Sequence, residues 1–188
     1  TSGSDGTRTT LEGQIVDIAG QTLKFNAGAG KDRAIPLSRV AEIVTSSSER
    51  QQAADALFAK HEYRGAVDQY RAALQQDREN RDWVRRQIVA QMVWCYRNLN
   101  MPEQAGEYFL ILLSGDSATP YFDSIPLGWR SGEPTPAVEQ KAKTWLARND
   151  SAAAQLMAAS HLLSTAERAR VIERLRRLSS DRDDRIAW

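Results

Sequence analysis

A chain of 188 residues with 25 Lys and Arg against 24 Asp and Glu carries a net charge of +1, so no long-range field draws it to nucleic acid or to an anionic membrane. Its length suffices for a core of its own, as one elongated domain or as a small domain joined to a larger one. The single cysteine, Cys95, excludes an internal disulfide framework and any zinc site built from several thiolates, and no stretch approaches the ~20 apolar residues that cross a bilayer.

Residues 1–10 open with the polar run Thr1-Ser2-Gly3-Ser4-Asp5-Gly6 and lack the apolar core of a secretory signal, which reads as a flexible tail or a trimmed mature end. Residues 11–45 then alternate apolar and polar positions at strand spacing: Leu11, Ile15 and Ile18, Leu23 and Phe25, Ile35 and Leu37, and finally Val40, Ile43 and Val44. Glycines at Gly20 and in 27–32 supply the reversals between them. The spacing predicts a small β module of about four short strands, an antiparallel meander or partial barrel. So few strands cannot bury both faces, and the module is expected to dock on the first helical hairpin behind it.

From residue 46 to residue 114 the period becomes helical. Ser46 and Glu49 match a capping box, Ala53, Ala54, Leu57 and Phe58 mark one helix, and Ala66, Val67, Tyr70, Ala73 and Leu74 mark the next after a turn around His61. A second pair follows. Val84, Ile88, Met92, Cys95 and Leu99 form one stripe of a helix that also carries Trp83, Val89, Val93 and Tyr96, so apolar a surface that it must be sandwiched. Asn100 is expected to cap its partner, with Pro102 and Glu103 in the first turn and Ala105, Tyr108, Phe109, Leu112 and Leu113 on the buried face.

The run Ala54-x-x-Leu57, then Glu62-Tyr63-x-x-Ala66-x-x-x-Tyr70-x-x-Ala73-Leu74, resembles a tetratricopeptide repeat, and Tyr96, Ala105, Phe109 and Leu113 follow the same frame. In that family small residues stand where the two helices of a repeat touch. The interval from Ala66 to Ala105 exceeds the family's ~34 residues, and the terminal proline is missing from both repeats.

Residues 115–135 carry Gly115, Pro120, Pro126, Gly128, Gly132 and Pro134 and cannot be one helix. Five large apolar residues, Tyr121, Phe122, Ile125, Leu127 and Trp129, predict an ordered loop packed on the helices. Residues 136–188 return to short helical hairpins. Thr135 and Pro136 open one helix, Asp150 or Ser151 caps a second, and Ser164 with Glu167 caps a third holding Val171, Ile172, Leu175 and Leu178, units similar to HEAT repeats. Asp183 to Trp188 reads like the opening of a further helix, which leads us to expect a longer natural chain. The expected fold is mainly α: antiparallel helical hairpins, tetratricopeptide-like and then HEAT-like, forming a right-handed solenoid behind the small β module, α+β overall.

Catalytic chemistry finds no foothold. His61 and His161 lie in no metal-ligand spacing, Gly28-Ala29-Gly30 sits between strands with no helix start to hold phosphate, and Cys95 falls inside an apolar stripe with no histidine within a turn. Ser114 and Ser117 lack a glycine elbow. No catalytic residue, metal or cofactor is assigned. Arg168, Arg170, Arg174, Arg176 and Arg177 share a helix with Glu167 and Glu173 and read as a solvated face, with no nucleic acid partner expected.

The resemblance to tetratricopeptide proteins implies a scaffold that binds a protein or peptide in a concave groove, with Gln51, Asp55 and Phe58, then Gln87, Trp94 and Arg97, facing it. In members that clamp a partner's terminal carboxylate, a lysine and an asparagine occupy the positions of Gln51 and Asp55. Asp55 would repel such a ligand, so a carboxylate clamp is not expected. Phe58 and Trp94 would be apolar anchors and Arg97 a donor, unless Trp94 packs under the next helix. Tyr121, Phe122 and Trp129 of the loop are further candidate contacts. The strand module, the repeat, Trp83-Val84-Arg85-Arg86 and Thr119-Pro120-Tyr121-Phe122-x-x-Ile125-Pro126-Leu127-x-Trp129 together are similar to uncharacterised proteins of planctomycete bacteria, which are often exported. The alternative is therefore a structural or assembly domain of a larger exported protein.

Overall fold

A computed structural model describes residues 9–28, 30–76, 81–129 and 133–187. Most of the expected tail, together with Ala29, Gly132 and Trp188, lies outside the described residues.

Among the described residues three strands are formed: β1 (Gln14–Ala19), β2 (Thr22–Asn26) and β3 (Arg33–Pro36), antiparallel in the order β1-β2-β3. A bulge between Ile15 and Asp17 keeps Ile15 and Ile18 on the same face as Leu23, Phe25 and Ile35. The expected fourth strand is absent. Pro36 ends β3, a 3-10 turn over Leu37–Arg39 redirects the chain, and residues 41–48 run without sheet pairing, leaving Val44 86% exposed.

Among the described residues there are seven α-helices: α1 (Glu49–Ala59), α2 (Tyr63–Gln76), α3 (Asp82–Asn98), α4 (Pro102–Gly115), α5 (Pro136–Leu146), α6 (Ala152–Leu162) and α7 (Arg168–Leu178). Each packs on its sequence neighbours, with short connections inside the pairs α1–α2, α3–α4 and α5–α6. The molecule is thus mainly helical with a small antiparallel sheet. No helix among the described residues is long and apolar enough to cross a membrane.

The module docks on α3, the first helix of the second hairpin, rather than on the first hairpin. The reason is Trp83, in the first turn of α3, whose indole completes the buried cluster of Ile15, Ile18, Leu23 and Phe25. Guanidinium groups seal the edge of β1: Arg81 donates to the Ile15 carbonyl (2.6 Å), and Arg86 donates to the Asp17 carboxylate (2.6 Å) and the Ile18 carbonyl (2.9 Å).

Several helix boundaries differ from expectation. Ser48, not Ser46, caps α1, its hydroxyl accepting from the Gln51 N–H. The boundary residue of α4 is Met101 and gives no side-chain cap; Asn100 instead ends α3 in a left-handed conformation (φ 56°). His61 (φ 63°) ends α1 in the same way, with Glu62 N–H bonded to Leu57 O just as Met101 N–H is bonded to Tyr96 O. The two hairpins therefore share one closing motif, at the same interval that separates Ala66 from Ala105, both fully buried. Thr135 and Ser151 cap α5 and α6 as expected. α7 begins only at Arg168, with Glu167 at its boundary giving no side-chain cap, and Thr165 Oγ1 accepts from Glu167 N–H.

Gly115 closes α4 instead of opening the loop. Phe122 and Ile125 are buried, Phe122 lying edge-on to Phe109 (5.7 Å), while Trp129 departs from the packed reading at 47% exposure. Asp183 to Ile186 makes one turn, with the Ile186 and Ala187 N–H groups bonded to the Asp183 carbonyl. Ile186 enters the core, and Arg185 stacks on Phe122 (4.3 Å) while donating to the Ser117 carbonyl.

Candidate functional site

The α3–α4 corner and the loop that follows α4 enclose a cleft of about 610 Å³. Trp94 and Arg97 come from the last turns of α3, Met101, Pro102 and Glu103 from the start of α4, Pro126 to Gly128 and Glu133 from the loop, Val138 from α5 and His161 from α6. Its walls are thus mostly helix ends and a pinned loop.

The pinning has a clear source. Ser160 and His161 stand together at the end of α6; the Ser160 hydroxyl accepts from Gly128 N–H (2.8 Å), and His161 Nε2 bonds the Pro126 carbonyl (3.1 Å). Because a carbonyl only accepts, Nε2 carries the proton and Nδ1 is bare in the neutral ring. A Cβ at residue 128 would stand 2.2 Å from Nδ1, so only glycine lets the loop come this close. Burial holds the His161 pKa below its usual value, opposed more weakly by the Pro126 carbonyl and the Glu103 charge.

Trp94 is half-buried, with the Arg97 guanidinium 4.1 Å above its ring. Arg97 also donates to the Asp123 carbonyl (3.1 Å), and burial pulls its pKa down. The donor expected to reach a ligand is therefore already in use within the chain. Thr135, at the cleft edge, accepts from Val138 N–H, and among the described residues no serine or cysteine lines the wall. Cys95 is fully buried and its thiol is pushed up to about 12 by desolvation, a condition in which it is not a nucleophile. Among the described residues no group of three or more His, Cys, Asp or Glu is placed to hold a metal ion.

The structure brings together only Trp94 and Arg97 of the residues assigned to a groove. Gln51 is 6% exposed, beneath the start of α1, and is not on an open surface. Asp55 is exposed but accepts the Tyr70 hydroxyl (2.5 Å), a bond that helps keep Tyr70 protonated. Phe58 packs edge-on to Tyr63 (5.6 Å), and Gln87 is half-buried; neither lines the cleft. In the loop, Tyr121 is half-buried, with desolvation raising its pKa, and Phe122 is an interior residue held between Phe109 and Arg185. Trp129 lies beyond the cleft lining.

Sequence reasoning missed His161, Met101, Leu127 and Glu103. His161 has an unremarkable setting in its own helix, and its role depends on a loop about thirty-five residues earlier in the chain. A second cavity of about 380 Å³ lies between the end of α4, the start of α6 and the C-terminal turn. Its charged side chains are mostly paired, Arg185 with Asp183 and Arg148 with Asp150. No protein-family model, no curated protein and no solved structure matches the chain.

Proposed function

We propose that this protein is a non-catalytic helical-repeat scaffold that holds a segment of another protein in the cleft at the α3–α4 corner. One observation carries the reading: an aromatic ring, Trp94, is left half open in a 610 Å³ cleft whose walls are helix ends and a doubly bonded loop. A preformed cleft, with an aromatic ring among polar groups such as Asn98, Asn100 and Glu103, binds well because little is ordered on association. The hairpins α1–α2 and α3–α4 are proposed as tetratricopeptide-like units, followed by HEAT-like helices in a right-handed solenoid. Support comes from their common closing motif at His61 and Asn100. The test is site-directed photocrosslinking in native extract, with the reactive group at Asn98 or Leu127 and a control on exposed Ala53. Adducts from the cleft positions alone, lost in Trp94→Ala at unchanged circular dichroism, are expected; adducts indifferent to Trp94→Ala would refute the cleft.

A second reading is a structural or assembly domain of a larger exported protein, and one feature favours it. Ile43 and Val44 are exposed on the unpaired extended segment that follows β3, the strand at the other edge of the sheet. Crosslinks concentrated at position 44 would select that reading.

A further inference from the structure

The cleft wall made by Pro126 to Gly128 belongs to no helix or strand; α6 holds it through two neighbouring side chains, Ser160 and His161. The two holds answer differently to acid. The Ser160 hydroxyl carries no titrating proton near neutrality, whereas an imidazole changes charge there. With Nε2–H committed to the Pro126 carbonyl, a second proton must go to Nδ1, which has no hydrogen-bond partner among the described residues. Gly128 is packed so closely against that nitrogen that a Cβ there would stand 2.2 Å away. A proton on Nδ1 is therefore a half-buried charged donor with no acceptor.

Protonation would also strengthen the bond from Nε2 to Pro126, but that gain is the smaller: burial opposes the charge and outweighs both the carbonyl and the attraction of Glu103. Among the described residues the charge acting on the ring is this Glu103 of α4. From α5 it meets the uncharged Trp145 ring at 6.3 Å, and from the loop only backbone, while Arg97 of α3 and Glu133 share the cleft lining with it. We propose that Ser160 and His161 form a pH-operated latch on the cleft: the neutral imidazole holds Pro126 to Gly128 in place as its wall, and protonation of Nδ1 releases that wall. Ser160 is then left holding the segment by one neutral hydrogen bond, which competes poorly with water. A released ring titrates near its ordinary value of about 6.5 and the latched ring below it, so the latch is at full strength above that pH and weakens as pH falls. As control of binding this rests on the cleft being the site proposed above; as a movement of the loop it does not.

The isotope-labelled full chain, titrated with acid alone from pH 7.5 to pH 4.5, provides the test. The Gly128 amide, corrected for the intrinsic effect of pH on exchange, is expected to exchange at least about threefold faster at the acid end, in step with the His161 ring signals and the Trp94 indole N–H signal. The amides of buried Met92 and Val93 should keep their protection. His161→Gln, which retains a donor for the Pro126 carbonyl, is expected to abolish the pH dependence. Glu103→Gln touches neither bond; by removing the charge that favours the imidazolium it should move the ring titration and the loop release together to lower pH, which keeps the latch testable should His161→Gln fold poorly. A Gly128 amide that stays protected while the ring titrates, a ring that does not titrate in this range, or protection lost in α3 together with Gly128 would each overturn the latch. Photocrosslinks from Asn98 should fade across the release in the unsubstituted chain and persist in His161→Gln. If they persist in both, control of binding is overturned and the cleft stands; if none forms at either pH, the cleft falls and control of binding with it.

Discussion

Trp83 joins the sheet to the helices, and its replacement separates two contributions of opposite sign. The side chain is 6% exposed within the cluster of Ile15, Ile18, Leu23 and Phe25. An aromatic group of its size removes roughly 200 Å² from water, about 5 kcal/mol at 25 cal/mol per Å². Its indole N–H is buried without a hydrogen-bond partner among the described residues, at a cost of about 1–3 kcal/mol. Trp83→Ala removes both and leaves a cavity, so a net loss of about 3 kcal/mol is expected, near the low end for such truncations. Trp83→Phe keeps most of the ring and removes the orphan donor, so it should cost less than about 1 kcal/mol. Equilibrium denaturation measures both, and hydrogen exchange locates them. In Trp83→Ala the amides of β1 and β2 should exchange much faster while those of α4 to α6 keep their protection. Equal losses in the two variants would refute the orphan-donor reasoning, and unchanged exchange in β1 and β2 would show that the sheet stands without α3.

Gly106→Ala should be among the most damaging single-methyl changes, about 1–3 kcal/mol by thermal melting, since its Cβ would stand 2.4 Å from the buried Trp145 ring and α4 would have to move off α5. Ser48→Ala should cost about 1 kcal/mol and Ser46→Ala under about 0.5 kcal/mol, because only the Ser48 hydroxyl accepts from the α1 backbone; reversed values would restore the capping box. Stability should fall with acidity through His161: burial depresses its folded-state pKa, so the unfolded chain binds the proton first as pH drops below about 6.5. The contribution is complete above that pH and declines below it, and His161→Gln should flatten the slope in urea midpoints taken between pH 7.5 and 5.5.

The helices were legible because each carries its own signal: apolar residues at 3.6 spacing, with Thr135 and Ser151 where a cap belongs. What misled was local ambiguity. Three consecutive serines precede α1, and the helix begins two residues later than the Ser46 and Glu49 spacing suggests. Val40, Ile43 and Val44 have strand-forming side chains, yet a strand needs a neighbour, and the open face of this sheet is covered by Trp83 from a helix more than forty residues away in sequence. Gly128 carried real information about the site, but the sequence shows it only as a loop glycine; the collision it avoids is with His161, which no local pattern reveals.

The exposure of Trp94 follows from the same long-range arrangement. An α3 apolar on nearly every side implies that a following helix covers Trp94, and in a regular stack α5 would supply that cover. Residues 116–135 intervene. Their 3-10 turn, Phe122–Ser124, packs on α3 in place of a helix, and Asp123 in that turn takes the bond from Arg97. A one-turn element about 6 Å long at ~2 Å per residue cannot cover a seventeen-residue helix about 25 Å long at ~1.5 Å per residue. The Trp94 side of the last turns of α3 is therefore left partly uncovered, and Pro126 to Gly128, tied down by Ser160 and His161, form the opposite wall instead of filling the gap. The long connection after α4 is thus the physical origin of the cleft, and shortening the loop to let α5 reach α3 should close it and bury Trp94.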